Sequence, residues 1–264
     1  MWAAMKAAFR PLRGRDLALR AAAVTFYAGI AVVPIALLAI WVTGRVAGAG
    51  RVRQLTGHTI AALPDAIGAA RALSALIDAG LHLSPMMALA GLLPATLYGE
   101  GLRRAFVSLR EPDGGDIAVG WKGRLLWLPL LAAAPALLLA MFLALPTTSS
   151  LWVRGGVYAF LGVVLSFLCC WLVLTPVVIW VYRYVAPGRP DWLVTTLIGS
   201  FTAANLAGFL HGFVLFCSLP LDLGVPFGGF DQIGGTVAIG LWLYLFHVIL
   251  LAGYAATRSL SQRS

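Results

Sequence analysis

The chain is poor in charge, and poorest in acid: 11% of its 264 residues are charged, with 10 Asp and Glu against 19 Lys and Arg. A soluble domain holds about a quarter charged residues, because its whole surface must be solvated by water. This balance excludes a soluble globular protein. Cysteine is scarce as well. Cys169 and Cys170 adjoin inside one apolar run and Cys217 lies near the end of another. With no C-x-x-C pair and no Cys/His cluster, neither a zinc site nor a disulfide framework is indicated. The four histidines, His58, His82, His211 and His247, are scattered. The clustered ligands of a metal-dependent nuclease are therefore missing, as are H-E-x-x-H, Walker A and G-x-S-x-G patterns. No catalytic residue, metal or cofactor is expected, and the chain does not read as an enzyme. Without a Walker A motif, any transport would be gradient-driven or passive.

Apolar residues are abundant instead, at 61% of the chain, with a mean hydropathy of +0.90. A helix crosses the hydrocarbon core with about 20 such residues. Runs of that kind fall at about 21–43, 85–106, 124–146, 156–182, 192–218 and 234–256, the second interrupted by Pro94, Glu100 and Arg103. The expected fold is all-α: one integral membrane domain over residues 1–264, a bundle of six transmembrane helices. Pro135 and Pro176 stand in mid-span and should kink their helices.

The net charge of +9 is spread among short connections rather than along one face, so a nucleic-acid partner is not expected. Its distribution reports topology. With the first residues inside, fourteen Lys and Arg fall on the inner side and five on the outer. That bias predicts a multi-pass protein with both termini in the cytoplasm. The stretch "KAAFRPLRGRDLALR" reads as a basic anchor along the inner surface. No small-residue cleavage site follows it, so the first span reads as a retained anchor.

Between spans one and two lie about 40 outward residues. There Pro64 suits the first turn of a helix. Arg71, Ser74 and Asp78 share one helical face, and Ala66, Leu73, Leu76 and Ile77 the other. This predicts an outer amphipathic helix, too short and too charged to span. At the inner end of span two, Glu100 can meet Arg103 and Arg104 on the helix surface. The reading is a charge-neutralised helix end, with a proton-linked carboxylate as the alternative. The outer stretch "PLDLGVPFGGFDQIGG" is a lid or a turn-rich connector.

Two spans carry polar groups that lipid cannot satisfy. In "GSFTAANLAGFLHG", Ser200, Ala204, Gly208 and Gly212 recur every fourth residue and make a ridge on which another helix can pack closely. His211 projects from the same ridge and Asn205 from its edge, so both read as interhelical hydrogen-bonders. In span six, Thr236, Gly240, Tyr244, His247 and Tyr254 fall within about 40° of one line. This face either packs on a neighbour or lines a water-filled path. The two histidines differ by about 15 Å in depth, so they are not expected to touch.

Three stretches carry a family likeness: "RAAAVTFYAGIAVVPIALLAI" in span one, "YRYVAPGRPDWLVTTLIGSFTAANLAGF" entering span five, and "IGGTVAIGLWLYLFHVILLAGYAA" in span six. In their order and spacing the chain resembles the YihY/BrkB family of bacterial inner-membrane proteins over nearly its whole length. Tyr27 and Pro34, Tyr182 and Pro187, and Gly199 and Trp242 fall on the family's recurring positions. The resemblance implies six helices in the bacterial plasma membrane with cytoplasmic ends. Family labels have included virulence-associated factor and ribonuclease BN, and transport or export has been suggested. The chain departs from the family in reading "RRAFVSLRE" where many members have an Asn, and Gly253-Tyr254-Ala255 where many have Gly-Ala-Glu. A proton-coupled role for that Glu is thus not available here.

The functional expectation is a transporter or exporter, not ATP-driven, of a small solute or lipid. The alternative is a structural or assembly protein of the envelope, and a ribonuclease fits least. The expected partners are the lipid bilayer and a small solute or lipid, with a homo-oligomer allowed but not indicated.

Overall fold

A backbone in hydrocarbon must satisfy its own polar groups, and the helix does so within one segment. The computed structural model describes residues 17–62, 69–109, 118–219 and 221–262, and these form helices and turns, with no strand among them. The basic stretch before residue 17, Pro64, Ala66 and the inner loop at 110–117 lie outside the described residues.

The helices are α1 (Leu17–Ala47), α2 (Ala49–Ala62), α3 (Ala69–Leu81), α4 (Pro85–Ser108), α5 (Ala118–Arg154), α6 (Gly156–Trp180), α7 (Trp192–Ser218) and α8 (Asp231–Ser261). Among them α1, α5, α6, α7 and α8 are long and apolar enough to cross a membrane. Helix α4 is not in that set, although it has 24 residues. Its Pro94, Glu100, Arg103 and Arg104 dilute an otherwise apolar segment. Five candidate spans therefore stand where six are expected from sequence.

The outer segment forms two helices, α2 and α3, where one is predicted. Ile77 of α3, Val52 of α2, Ile40 of α1 and Phe142 of α5 make a small core, with Leu73 and Leu76 packed against it. Asp78 points outward and pairs with Arg53 at 3.3 Å. Among the described residues, Leu73, Leu76 and Ile77 thus turn inward and Arg71 and Asp78 outward, as the periodicity dictates. The stretch 221–230 is folded down: Gly229 N–H donates to Gly224 O at 2.9 Å, and Gly224 packs on Asp231 at the start of α8.

The main core lies at the opposite, basic end. It joins Ala21 and Val24 of α1, Phe106 of α4, Tyr182, Leu206 of α7 and Tyr254 of α8, all buried. Helices α5 and α6 continue without interruption through Pro135 and Pro176. Shortly after Pro176, α6 widens into a π turn at Val181–Val185. Such a turn aims carbonyls away from the helix ladder, and Arg103 Nη1 reaches one of them, Val185 O, at 2.7 Å.

Candidate functional site

A buried imidazole needs a partner for each ring nitrogen. His247 of α8 is 0% exposed, and its partners come from two other helices. Its Nδ1 lies 3.0 Å from Thr25 Oγ1 of α1, and its Nε2 lies 2.9 Å from the Tyr98 hydroxyl of α4. Thr25 Oγ1 is also 2.8 Å from Ala21 O, which only accepts. The hydrogens can then be assigned in one direction. Tyr98 donates to Nε2, Nδ1–H donates to Thr25, and Thr25 donates to the Ala21 carbonyl. One ring proton satisfies every group, and three helices are tied at one point. Trp127 of α5 closes the surroundings, its ring edge-on to Tyr98 at 4.8 Å.

Close below lies a charged cluster. Glu100 is 8% exposed, and its Oε1 accepts from Arg104 Nε at 2.9 Å. Its Oε2 accepts from Arg124 Nε of α5 at 2.6 Å. The expected Glu100–Arg104 pair is therefore present. Arg103 does not join it, because its guanidinium turns to the Val185 carbonyl on the other side of the helix. The tie to α5 through Arg124 crosses a sequence gap that helical spacing does not register.

Small residues bring these helices together. A Cβ at Gly101 would lie 2.6 Å from the Tyr27 ring, and one at Gly99 would lie 2.5 Å from Gly123 O. The α1–α4 and α4–α5 crossings are thus backbone-close. Pro34, in the same helix as Tyr27, is half-buried and leaves α1 continuous. At the basic end, Tyr182 donates to Leu250 O at 2.6 Å and Tyr254 donates to Pro187 O at 2.9 Å.

The ridge on α7 differs from its expectation. Ser200 faces α6, where its carbonyl accepts from Trp171 Nε1 at 3.0 Å. Ala204, Gly208 and Gly212 instead line an open groove of about 530 Å³, with Asn205, Phe209 and Ile249 of α8. A Cβ at Gly208 would meet only Phe167, at 3.8 Å. Gly212 does meet a neighbour, since a Cβ there would lie 3.5 Å from the ring of Trp242 of α8, which packs among Phe209, Phe213 and Phe216. Asn205 is exposed in the groove and donates only to Phe201 O within its own helix, at 2.8 Å. It is not an interhelical bond. His211 is one: its Nδ1 donates to Ala207 O and its Nε2 meets Ser166 Oγ of α6 at 2.9 Å.

The face expected on span six divides in two. His247 and Tyr254 are buried, while Thr236 is exposed and bonds only to Gln232 O within its helix. A Cβ at Gly240 would meet nothing within 4 Å, so this glycine does not mark a helix contact. Tyr244 packs against the core, yet its hydroxyl finds no acceptor among the described residues. The tyrosine bonded to His247 is therefore Tyr98, on a different helix. Thr25, Tyr98 and Arg124 escape a one-helix periodicity argument. The available signal is the rule that a buried histidine must find two partners elsewhere.

A family model described as Virulence factor BrkB matches residues 8–264. The chain belongs to that family. No curated protein and no solved structure matches it. As a BrkB-family member with long apolar helices, it is a multi-pass membrane protein.

Proposed function

We propose that the chain moves a lipid or lipid-like solute across the bacterial inner membrane without ATP. The observation that carries this reading is the groove between α7 and α8. It opens sideways from the bundle at mid-depth, is floored by Ala204, Gly208 and Gly212, and holds one exposed amide, Asn205. A volume of about 530 Å³ suits a small ligand or an acyl chain. An amide facing lipid is unfavourable unless something polar visits it. Below the groove the bundle is shut, since no water-sized space touches His247. A site open to the side and closed toward one end is what one state of an alternating-access cycle requires.

This reading takes α4 as a sixth crossing. Gly101 of α4 packs on Tyr27 of α1, and Gly91 of α4 approaches Leu38 of α1 at 3.9 Å. Helix α4 thus runs alongside the middle of α1 over about 16 Å of its axis. At about 1.5 Å per residue, its 24 residues also exceed the roughly 30 Å hydrocarbon core. Both termini then lie in the cytoplasm, and the chain is neither a nuclease nor a nucleic-acid binder.

Reconstitution into vesicles with a fluorescent phospholipid, followed by quenching from outside, tests the proposal. Wild-type protein should accelerate exchange between leaflets. Gly208→Trp, which fills the groove, should slow it while leaving folding intact. Protein-free rates in wild-type vesicles would sink the lipid reading. A second reading, a packed envelope scaffold, is favoured by the fully satisfied Thr25–His247–Tyr98 contact. It expects His247→Gln to lower stability alone, with no exchange activity to lose.

A further inference from the structure

At the basic end, the chain leaves α6 through Pro187-Gly188-Arg189-Pro190 before α7 begins. The two prolines carry no N–H. The N–H groups of Gly188 and Arg189 meet no acceptor among the described residues. Arg189 is held at φ +41°, alone among the described non-glycine residues in the left-handed region. A side chain rarely adopts that backbone, and such positions concentrate at functional sites.

The loop forms one wall of a cavity of about 170 Å³, and Tyr254, Arg258 and Ser261 of α8 form the other. Tyr254 fixes the two walls together through Pro187 O, and Arg258 Nη1 reaches Leu109 O at 3.2 Å. Arg189 is exposed, and its guanidinium has no acceptor among the described residues. Behind the loop, Arg183 donates to Pro190 O and stacks on Trp192 at 5.2 Å. One carboxylate, Asp191, lines the cavity, and its Oδ2 already accepts from Leu193 N at 2.9 Å and Val194 N at 3.2 Å. The cavity therefore offers the Arg189 guanidinium and two backbone donors that are unpaired among the described residues, with Arg258, itself already engaged, in the facing wall. Half-exposed Trp192 beside it suits the membrane boundary.

We propose that this cavity binds a phosphate group at the inner membrane boundary, held by Arg189, Arg258 and the Gly188 and Arg189 amides. Guanidinium forks and converging backbone N–H groups are matched to phosphate oxygens. Basic pockets between helices at this depth take phospholipid headgroups, and a small soluble phosphate offers the same chemistry. The site does not depend on the chain moving lipid.

The test uses the purified full-length protein, delipidated in an uncharged glycoside detergent. It is titrated with inorganic phosphate in one arm. In the other it meets mixed micelles of phosphatidylglycerol, with diacylglycerol as the phosphate-free control. Binding and thermal unfolding are both read. One phosphate probe should bind and raise the melting temperature, and diacylglycerol should not. Arg189→Gly removes the guanidinium and relaxes the backbone, so it should fold as well as wild type. It should weaken binding about tenfold, as loss of one charge-assisted contact does. Arg258→Gln should weaken it similarly and decides the matter if the glycine variant does not fold. Lys122→Gln, at the same end but outside the cavity, should bind as wild type. A response to phosphatidylglycerol alone assigns a headgroup, and a response to inorganic phosphate assigns a soluble ligand. Absence of binding by either probe, full binding by Arg189→Gly, or an equal loss in Lys122→Gln overturns the proposal.

Discussion

Tyr98 and Tyr244 share a chemistry and differ in what their hydroxyls meet. Tyr98 donates to His247 Nε2 at 2.9 Å, whereas Tyr244 has no acceptor among the described residues. Interhelical hydrogen bonds in membrane proteins contribute about 0.6 kcal/mol on average and about 1.7 at most. Tyr98→Phe should therefore lower stability by about that amount, while Tyr244→Phe should stay within about 0.5 kcal/mol of wild type. Unfolding of both variants in the same detergent checks this, and equal losses would contradict the hydrogen assignment. Glu100→Gln is the harsher change. It leaves Arg124 and Arg104 facing an amide instead of a buried carboxylate. Because Arg104 is half-exposed, a loss near the low end for a broken buried pair is expected, about 2 kcal/mol.

At the scale of the helix, small residues have opposite meanings in different places. On α4 they mark contact: a Cβ at Gly101 would run into Tyr27, and one at Gly99 into the Gly123 carbonyl. Gly99→Ala and Gly101→Ala should each cost about 1–3 kcal/mol, as overpacking does. On α7 the spacing by four looks equally suited to a partner, but the groove leaves Gly208 open. Gly208→Ala should change the melting temperature little, and a large drop would show that another surface covers the groove. Periodicity correctly places small residues on one face. It does not say whether a neighbour arrives, because that depends on Trp242 and its phenylalanine partners on both helices.

The whole molecule poses the question of five crossings or six. One crossing more or fewer moves the C-terminal end to the other side of the membrane. In a background with Cys169, Cys170 and Cys217 replaced, Gln262→Cys and Arg51→Cys each place one thiol at an exposed position. An impermeant maleimide on intact cells should label Arg51→Cys and spare Gln262→Cys. External labelling of Gln262→Cys would remove α4 from the spanning set.

Composition and periodicity by themselves determined that this is an all-helical membrane protein, where its five long apolar helices run, and that Leu73, Leu76 and Ile77 of α3 turn inward while Asp78 stays wet. Those features follow from backbone hydrogen bonding and burial, which act within a segment and leave a repeat in the residues. They also singled out His247 and the Glu100–Arg104 pair, since a polar group in an apolar run is conspicuous wherever it falls. Tertiary structure alone decided the partners. Thr25 and Tyr98 reach His247 from helices far away in sequence, Arg124 replaces Arg103 beside Glu100, and Gly208 on the ridge of α7 faces a groove while Gly212 meets Trp242. Each of these depends on how two helices are rotated against one another. That rotation is set by the summed fit of both surfaces, which no single segment records.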